Sequence, residues 1–222
     1  MATLGDYADK YTGQRFVVLG KGRTTFDYHN LSAVTSPICF VNDAIQFAPL
    51  ATRSVERFFI AHDRKQAIWL TAGLGFTAVM LGGRPKKLWN RDDTHPVWKR
   101  LFADELPATM RDAQPIVTFR WGGRHQWPLL KLSRAALVAD GRLFACGATI
   151  HTALHFAWLA GAASIAFIGC DANDDGYDSR IRIRSQTPDL QQHKRIQRVA
   201  DYQCRELGLA TEYITSAAMP AT

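Results

Sequence analysis

A chain of 222 residues with 47% hydrophobic composition can bury one substantial core, and it is too short for two full domains with separate cores. Its formal net charge of +7 favours an anionic partner, whether a nucleotide, a nucleic acid or an anionic glycan. Four cysteines, Cys39, Cys146, Cys170 and Cys204, stand far apart without the CxxC pairing of zinc or redox sites, which predicts thiols in a reducing compartment, the cytoplasm.

Residues 1–14 read as an N-terminal arm. They lack the basic start and apolar run of a secretory signal. A single domain is expected over residues 15–222, opening with a strand at Arg15 to Leu19. That strand runs straight into Gly20-Lys21-Gly22-Arg23-Thr24-Thr25, where glycines let backbone amides approach phosphate oxygens and Lys21 and Arg23 supply charge. The loop is neither a Walker A sequence nor a full GxGxxG, because Thr25 stands where the third glycine belongs. A phosphate cradle and an ordinary turn both fit it.

The second strand, Ile38 to Val41, ends in Asn42-Asp43, and the third, Phe58 to Ala61, ends in His62-Asp63. Polar pairs at one edge of a sheet can hold a base and a ribose, and they can equally cap the helices that follow. Arg64 to Gly73 has helical length, and Thr77 to Leu81 makes a fourth strand. Gly82 to Arg134 then breaks the rhythm with Gly, Pro, Trp and basic residues and reads as an insertion or lid, although Ile116 to Phe119 inside it has strand character. Its Arg120 and Arg124, among tryptophans, are candidate contacts to an anionic acceptor, with a solvated basic surface as the alternative.

Cys146-Gly147-Ala148-Thr149 is a small-residue turn that leaves the start of the helix Thr149 to Ala160 open to an anion. His151 and His155 lie four apart on that helix, but no acidic partner completes an HExxH arrangement, so a core position is the preferred reading. The longest apolar stretch, Phe156 to Cys170, is broken by Gly161 and Ser164 and is shorter than the roughly 20 residues of a membrane span. Within it, Ile165 to Ile168 predicts a strand that leads into Gly169-Cys170-Asp171. Asp171, Asn173, Asp175 and Gly176 match the opening of an EF-hand loop, but Arg182 stands at the twelfth position where glutamate belongs, and a strand precedes the loop. Asp171 is instead read as a functional residue at a strand end, and Arg182, which alternates with Arg180 and Arg184, as an acceptor contact.

The last helix, Pro188 to Leu207, has Thr187 as its N-cap and Pro188 at its first position. Leu190, Ile196, Val199, Cys204 and Leu207 mark its buried stripe, which places His193 inward or along the edge of the stripe. A histidine beside a cleft can take a proton from a hydroxyl at neutral pH, and a packed histidine bonded to a carbonyl is the plainer alternative. Glu212 to Ile214 is the seventh strand. Short apolar strands alternating with helices predict an α/β fold, a Rossmann-like, doubly wound and mainly parallel sheet that binds ligands beyond the carboxyl ends of its strands.

Taken in order, the Gly20-Lys21-Gly22 loop, Asn42, Gly147, Gly169-Cys170-Asp171 and His193 resemble the bacterial lipo-oligosaccharide sialyltransferases and the related domains grouped with hydroxymethylpterin pyrophosphokinases. The likeness runs from about Arg15 to Thr215 and is weak in the middle. It implies that Gly20, Gly22, Asn42, Gly147 and Tyr177 bind a nucleotide donor, with His193 as general base and no obligatory metal. Lys21, Arg23, Thr24, Asp43, Asp63, Ala148 and Thr149 lie in the same loops and join the expected nucleotide and phosphate site. Ala172 replaces a second phosphate-binding tyrosine of the sialyltransferases, which leaves the donor open. In the pyrophosphokinase branch, Asp171 would help hold magnesium on a triphosphate. The expected function is therefore a glycosyltransferase using a nucleotide-activated sugar, with magnesium-dependent pyrophosphoryl transfer and a noncatalytic nucleotide- or nucleic-acid-binding module as its rivals.

Overall fold

The computed structural model describes residues 2–22, 31–61, 75–83, 116–121, 127–170 and 190–214. Among the described residues, eight strands form one sheet in the order β6-β5-β4-β3-β2-β1-β7-β8, and every neighbouring pair is parallel. The strands are β1 (Arg15–Leu19), β2 (Ile38–Val41), β3 (Arg57–Ala61), β4 (Ala78–Gly83), β5 (Ile116–Trp121), β6 (Arg142–Leu143), β7 (Ser164–Ile168) and β8 (Ala210–Ile214). Three α-helices are described: α1 (Arg134–Asp140), α2 (Thr149–Leu159) and α3 (Leu190–Glu206). This is the α/β, Rossmann-like architecture expected from the alternation of strands and helices.

The central strands are apolar on both faces because both faces are covered. Side chains alternate across the pleat, so Phe16, Val18, Cys39, Phe58, Ile60 and Met80 enter one core, while Val17, Leu19, Ile38, Phe40, Phe59 and Val79 enter the other. The first core is closed by α2 and α3 through Leu154, Phe156, Ala157, Ala200 and Cys204. The second is closed by a 3-10 segment, Asn42–Leu50, through Ala44, Ile45, Phe47 and Ala48. Helix α2 is buried nearly all round, whereas α3 buries only Ala200, Gln203 and Cys204.

Several elements differ from their expected form. Residues 2–14, expected as an arm, pack on the core: Leu4, Tyr7 and Tyr11 are buried, and the two tyrosine rings meet Phe58 edge-on. The amides of Asp9, Tyr11 and Gly13 donate to the carbonyls of Leu159, Ala160 and Gly161, which ties the segment to the end of α2. Within the expected insertion, β5 takes up the strand expected at Ile116 to Phe119 and pairs with β4 and β6. The short elements α1 and β6 have no counterpart among the expected elements. Helix α1 is bounded by local signals, with the Ser133 hydroxyl accepting from the Ala136 amide at 3.2 Å and Gly141 at φ +67° closing its end.

The strand order reverses at β1. From β1 the chain proceeds through β2 to β6 in one direction, then returns to place β7 and β8 on the other side. The crevice at the carboxyl ends of β1 and β7 is therefore the topological switch point, where open parallel sheets bind ligands.

Candidate functional site at the switch point

Two glycine-containing loops meet at this point. The Gly20 amide donates to the Ile168 carbonyl at 2.8 Å, and the Gly22 amide donates to the Gly169 carbonyl at 2.7 Å. A Cβ at Gly20 would lie 2.2 Å from the Gly169 carbonyl oxygen and 2.8 Å from Cys170 Sγ, so only glycine fits. The β1 loop and the β7 loop are thus locked backbone to backbone. Gly169 and Cys170, in the sequence the lead-in to Asp171, are themselves part of this junction. Their signal in the sequence was a second glycine immediately after an apolar strand.

Polar side chains bridge the three elements around the junction. Lys21 Nζ pairs with Asp43 Oδ2 at 3.0 Å and joins the end of β1 to the end of β2. Asn42 Nδ2 donates to Thr149 Oγ1 at 3.0 Å, and the Thr149 hydroxyl lies 3.2 Å from Asn42 Oδ1, which joins the end of β2 to the first residue of α2. Neither partner is adjacent in sequence. The amide of Asn42 crosses to another element instead of capping its own, and its backbone adopts φ +50°, a left-handed conformation uncommon outside glycine. At the start of α2, Gly147 has φ +80° and Ala148 makes no side-chain cap, so the turn presents backbone and no carboxylate to an incoming anion.

The site residues expected from the sequence accordingly fall into two groups. Gly20, Lys21, Gly22, Asn42, Asp43, Gly147, Ala148 and Thr149 all belong to the loops at the carboxyl edge of β1, to the loop after β2, or to the N-terminal turn of α2. Arg23, Thr24, Asp63, Arg124, Asp171, Tyr177 and Arg182 lie outside the described residues, as do the helix expected at Arg64 to Gly73 and the Thr187-Pro188 cap. Arg120 is placed in β5 by its backbone, and its side chain lies outside the described set.

His193 is half-buried in the first turn of α3, one turn ahead of Ile196. The Ile196 carbonyl accepts from His151 Nε2 at 3.1 Å, and Gln203 Nε2 donates to the His151 carbonyl at 2.8 Å, so α3 is hydrogen-bonded across the opening turn of α2. His193 is carried on the inward side of α3, toward that contact.

His151 and His155 are both fully buried and engage separate partners. His155 Nδ1 accepts from the Phe144 amide at 2.8 Å, which assigns its proton to Nε2, and its ring stacks on Trp158. Burial holds the His155 imidazole well below the usual range, at about 3, and lowers that of His151 as well. Both rings are neutral structural groups of α2. Among the described residues there is no group of three or more His, Cys, Asp or Glu that could hold a metal ion, and no helix is long and apolar enough to cross a membrane.

Compared with protein-family models, with curated proteins and with solved structures, the chain matches none.

Proposed function

We propose that the chain is a sialyltransferase-like glycosyltransferase that binds a nucleotide-activated sugar at the switch point and needs no metal for transfer. The observation that carries this reading is the backbone lock between Gly20-Lys21-Gly22 and Gly169-Cys170, flanked by the Asn42–Thr149 and Lys21–Asp43 bridges. The lock fixes both loops at the point where open parallel sheets bind ligands, with Lys21, held by Asp43, as a cation for a phosphate and the Asn42 carboxamide, oriented by Thr149, for a base or a ribose. In the proposed reaction an acceptor hydroxyl oxygen attacks the anomeric carbon as the bond from that carbon to the donor's phosphate oxygen breaks. His193 takes the hydroxyl proton, and the nucleotide leaves with the bonding electrons. The protein's part is positioning and charge stabilisation, with one proton transfer.

A thermal-shift series with CMP, UDP, GDP and ATP, each with and without magnesium, tests the proposal. Ligand at a hundred times its Kd stabilises by about 2.7 kcal/mol, which for a chain of this size raises Tm by roughly 5–10 °C. The expected result is a rise with a nucleoside monophosphate or diphosphate in the absence of magnesium. A rise with ATP and magnesium alone would replace glycosyl transfer with pyrophosphoryl transfer, and no rise with any nucleotide would remove the donor site.

A further inference from the structure

A second surface, remote in sequence from the glycine loop, lies on the outer face of α3. At 100° per residue, Lys194, Arg195, Arg198, Tyr202 and Arg205 project from one side of the helix, opposite the buried Ala200, Gln203 and Cys204. All five are exposed. Tyr202 is 38% exposed and meets Trp127, itself 40% exposed, edge-on at a centroid distance of 5.2 Å. With Leu50, they are the large hydrophobic side chains that stand exposed among the described residues, and these two adjoin each other. The Arg205 guanidinium sits 5.4 Å from the centre of the Tyr202 ring, which leaves its planar fork beside the ring for an anion.

Two acidic residues border the face, and they do not cancel it. Asp201 accepts from the Tyr213 hydroxyl at 2.6 Å and is drawn toward β8, and Glu206 lies at the far margin. Four cations therefore outnumber two carboxylates along the helix. From Lys194 to Arg205 the helix rises about 17 Å at 1.5 Å per residue, the length of about five stacked nucleotides at 3.4 Å each.

The geometry points to this face as a docking site for single-stranded nucleic acid, with the basic side chains along the phosphates and Trp127 and Tyr202 as stacking platforms for bases. Charge complementarity selects a polyanion, and the two adjoining open rings select one that carries planar groups. The face uses none of the residues assigned to the donor or to the base, so the inference stands or falls independently of the glycosyltransferase reading.

Fluorescence anisotropy with a labelled oligothymidylate and a labelled sulfated oligosaccharide of similar charge tests it on the full chain. Four phosphate contacts to a single strand give a slope of log K against log salt of about −2.8, so binding weakens about fiftyfold between 50 and 200 mM salt. Arg195→Ala with Arg198→Ala should halve that slope. Tyr202→Ala should weaken oligothymidylate binding roughly tenfold while leaving binding of the sulfated oligosaccharide unchanged. Each substitution is at an exposed position, and an unaltered melting curve confirms that the fold is retained. No binding of oligothymidylate at low salt, tighter binding of the sulfated oligosaccharide, or insensitivity to Tyr202→Ala would each overturn the proposal.

Discussion

Asn42 sits at φ +50° while its carboxamide bonds Thr149, so its backbone and its side chain make separable contributions. Glycine adopts that backbone without strain and alanine does not. Asn42→Ala should cost about 1–2 kcal/mol of stability. Asn42→Gly should cost less, and both should weaken nucleotide binding; denaturant titration and calorimetry on the pair separate strain from recognition. His155 carries a different prediction. Its folded pKa of about 3 is depressed by burial below the value of roughly 6.5 for a free imidazole. Its contribution to stability is thus complete above pH 6.5 and is lost as pH falls toward 3, because the unfolded chain takes up a proton that the folded chain refuses. His151 acts in the same direction. Unfolding measured between pH 7.5 and 4.5 should show stability falling with acid, and His155→Gln, which keeps an acceptor for the Phe144 amide, should show a shallower fall.

Among the elements, the junction of β1 with β7 is the tightest point of the proposed site. Gly20→Ala would force a methyl group onto the Gly169 carbonyl, and overpacking of this kind costs about 1–3 kcal/mol. The expected outcome is a lowered Tm together with loss of nucleotide binding; an unchanged affinity would separate this junction from the ligand site. The strands were legible in the sequence because a strand covered on both faces is a short, unbroken apolar run, as in Ile38–Val41 and Ser164–Ile168. Helices α2 and α3 are legible by length; of the apolar stripe expected on α3, Cys204 and Leu207 are buried and Leu190, Ile196 and Val199 are half-buried. By contrast, the two residues of β6 carry no periodicity, and the seven of α1 stood beside a region rich in breakers, although Ser133 and Gly141 mark its ends.

For the whole molecule, the N-terminal segment is a part of the core that its polar composition concealed. Leu4, Tyr7 and Tyr11 cover Phe16, Phe58 and Phe156, and burial of three such side chains contributes about 5–9 kcal/mol. That equals a large share of the roughly 5–15 kcal/mol that holds an ordinary domain together. Deletion of residues 2–13 should therefore abolish the cooperative thermal transition, and a retained transition within a few degrees of the full chain would show that the segment is dispensable. The sequence by itself determined the fold class and which loops hold glycine, Asn and Asp after strands, because hydrophobic periodicity and turn chemistry are local properties. Only the tertiary structure decided that Gly20 lies against Gly169, Asn42 against Thr149 and Lys21 against Asp43. Those pairings follow from strand order, which is set by how the two apolar faces of the sheet are covered and leaves no local trace in the chain.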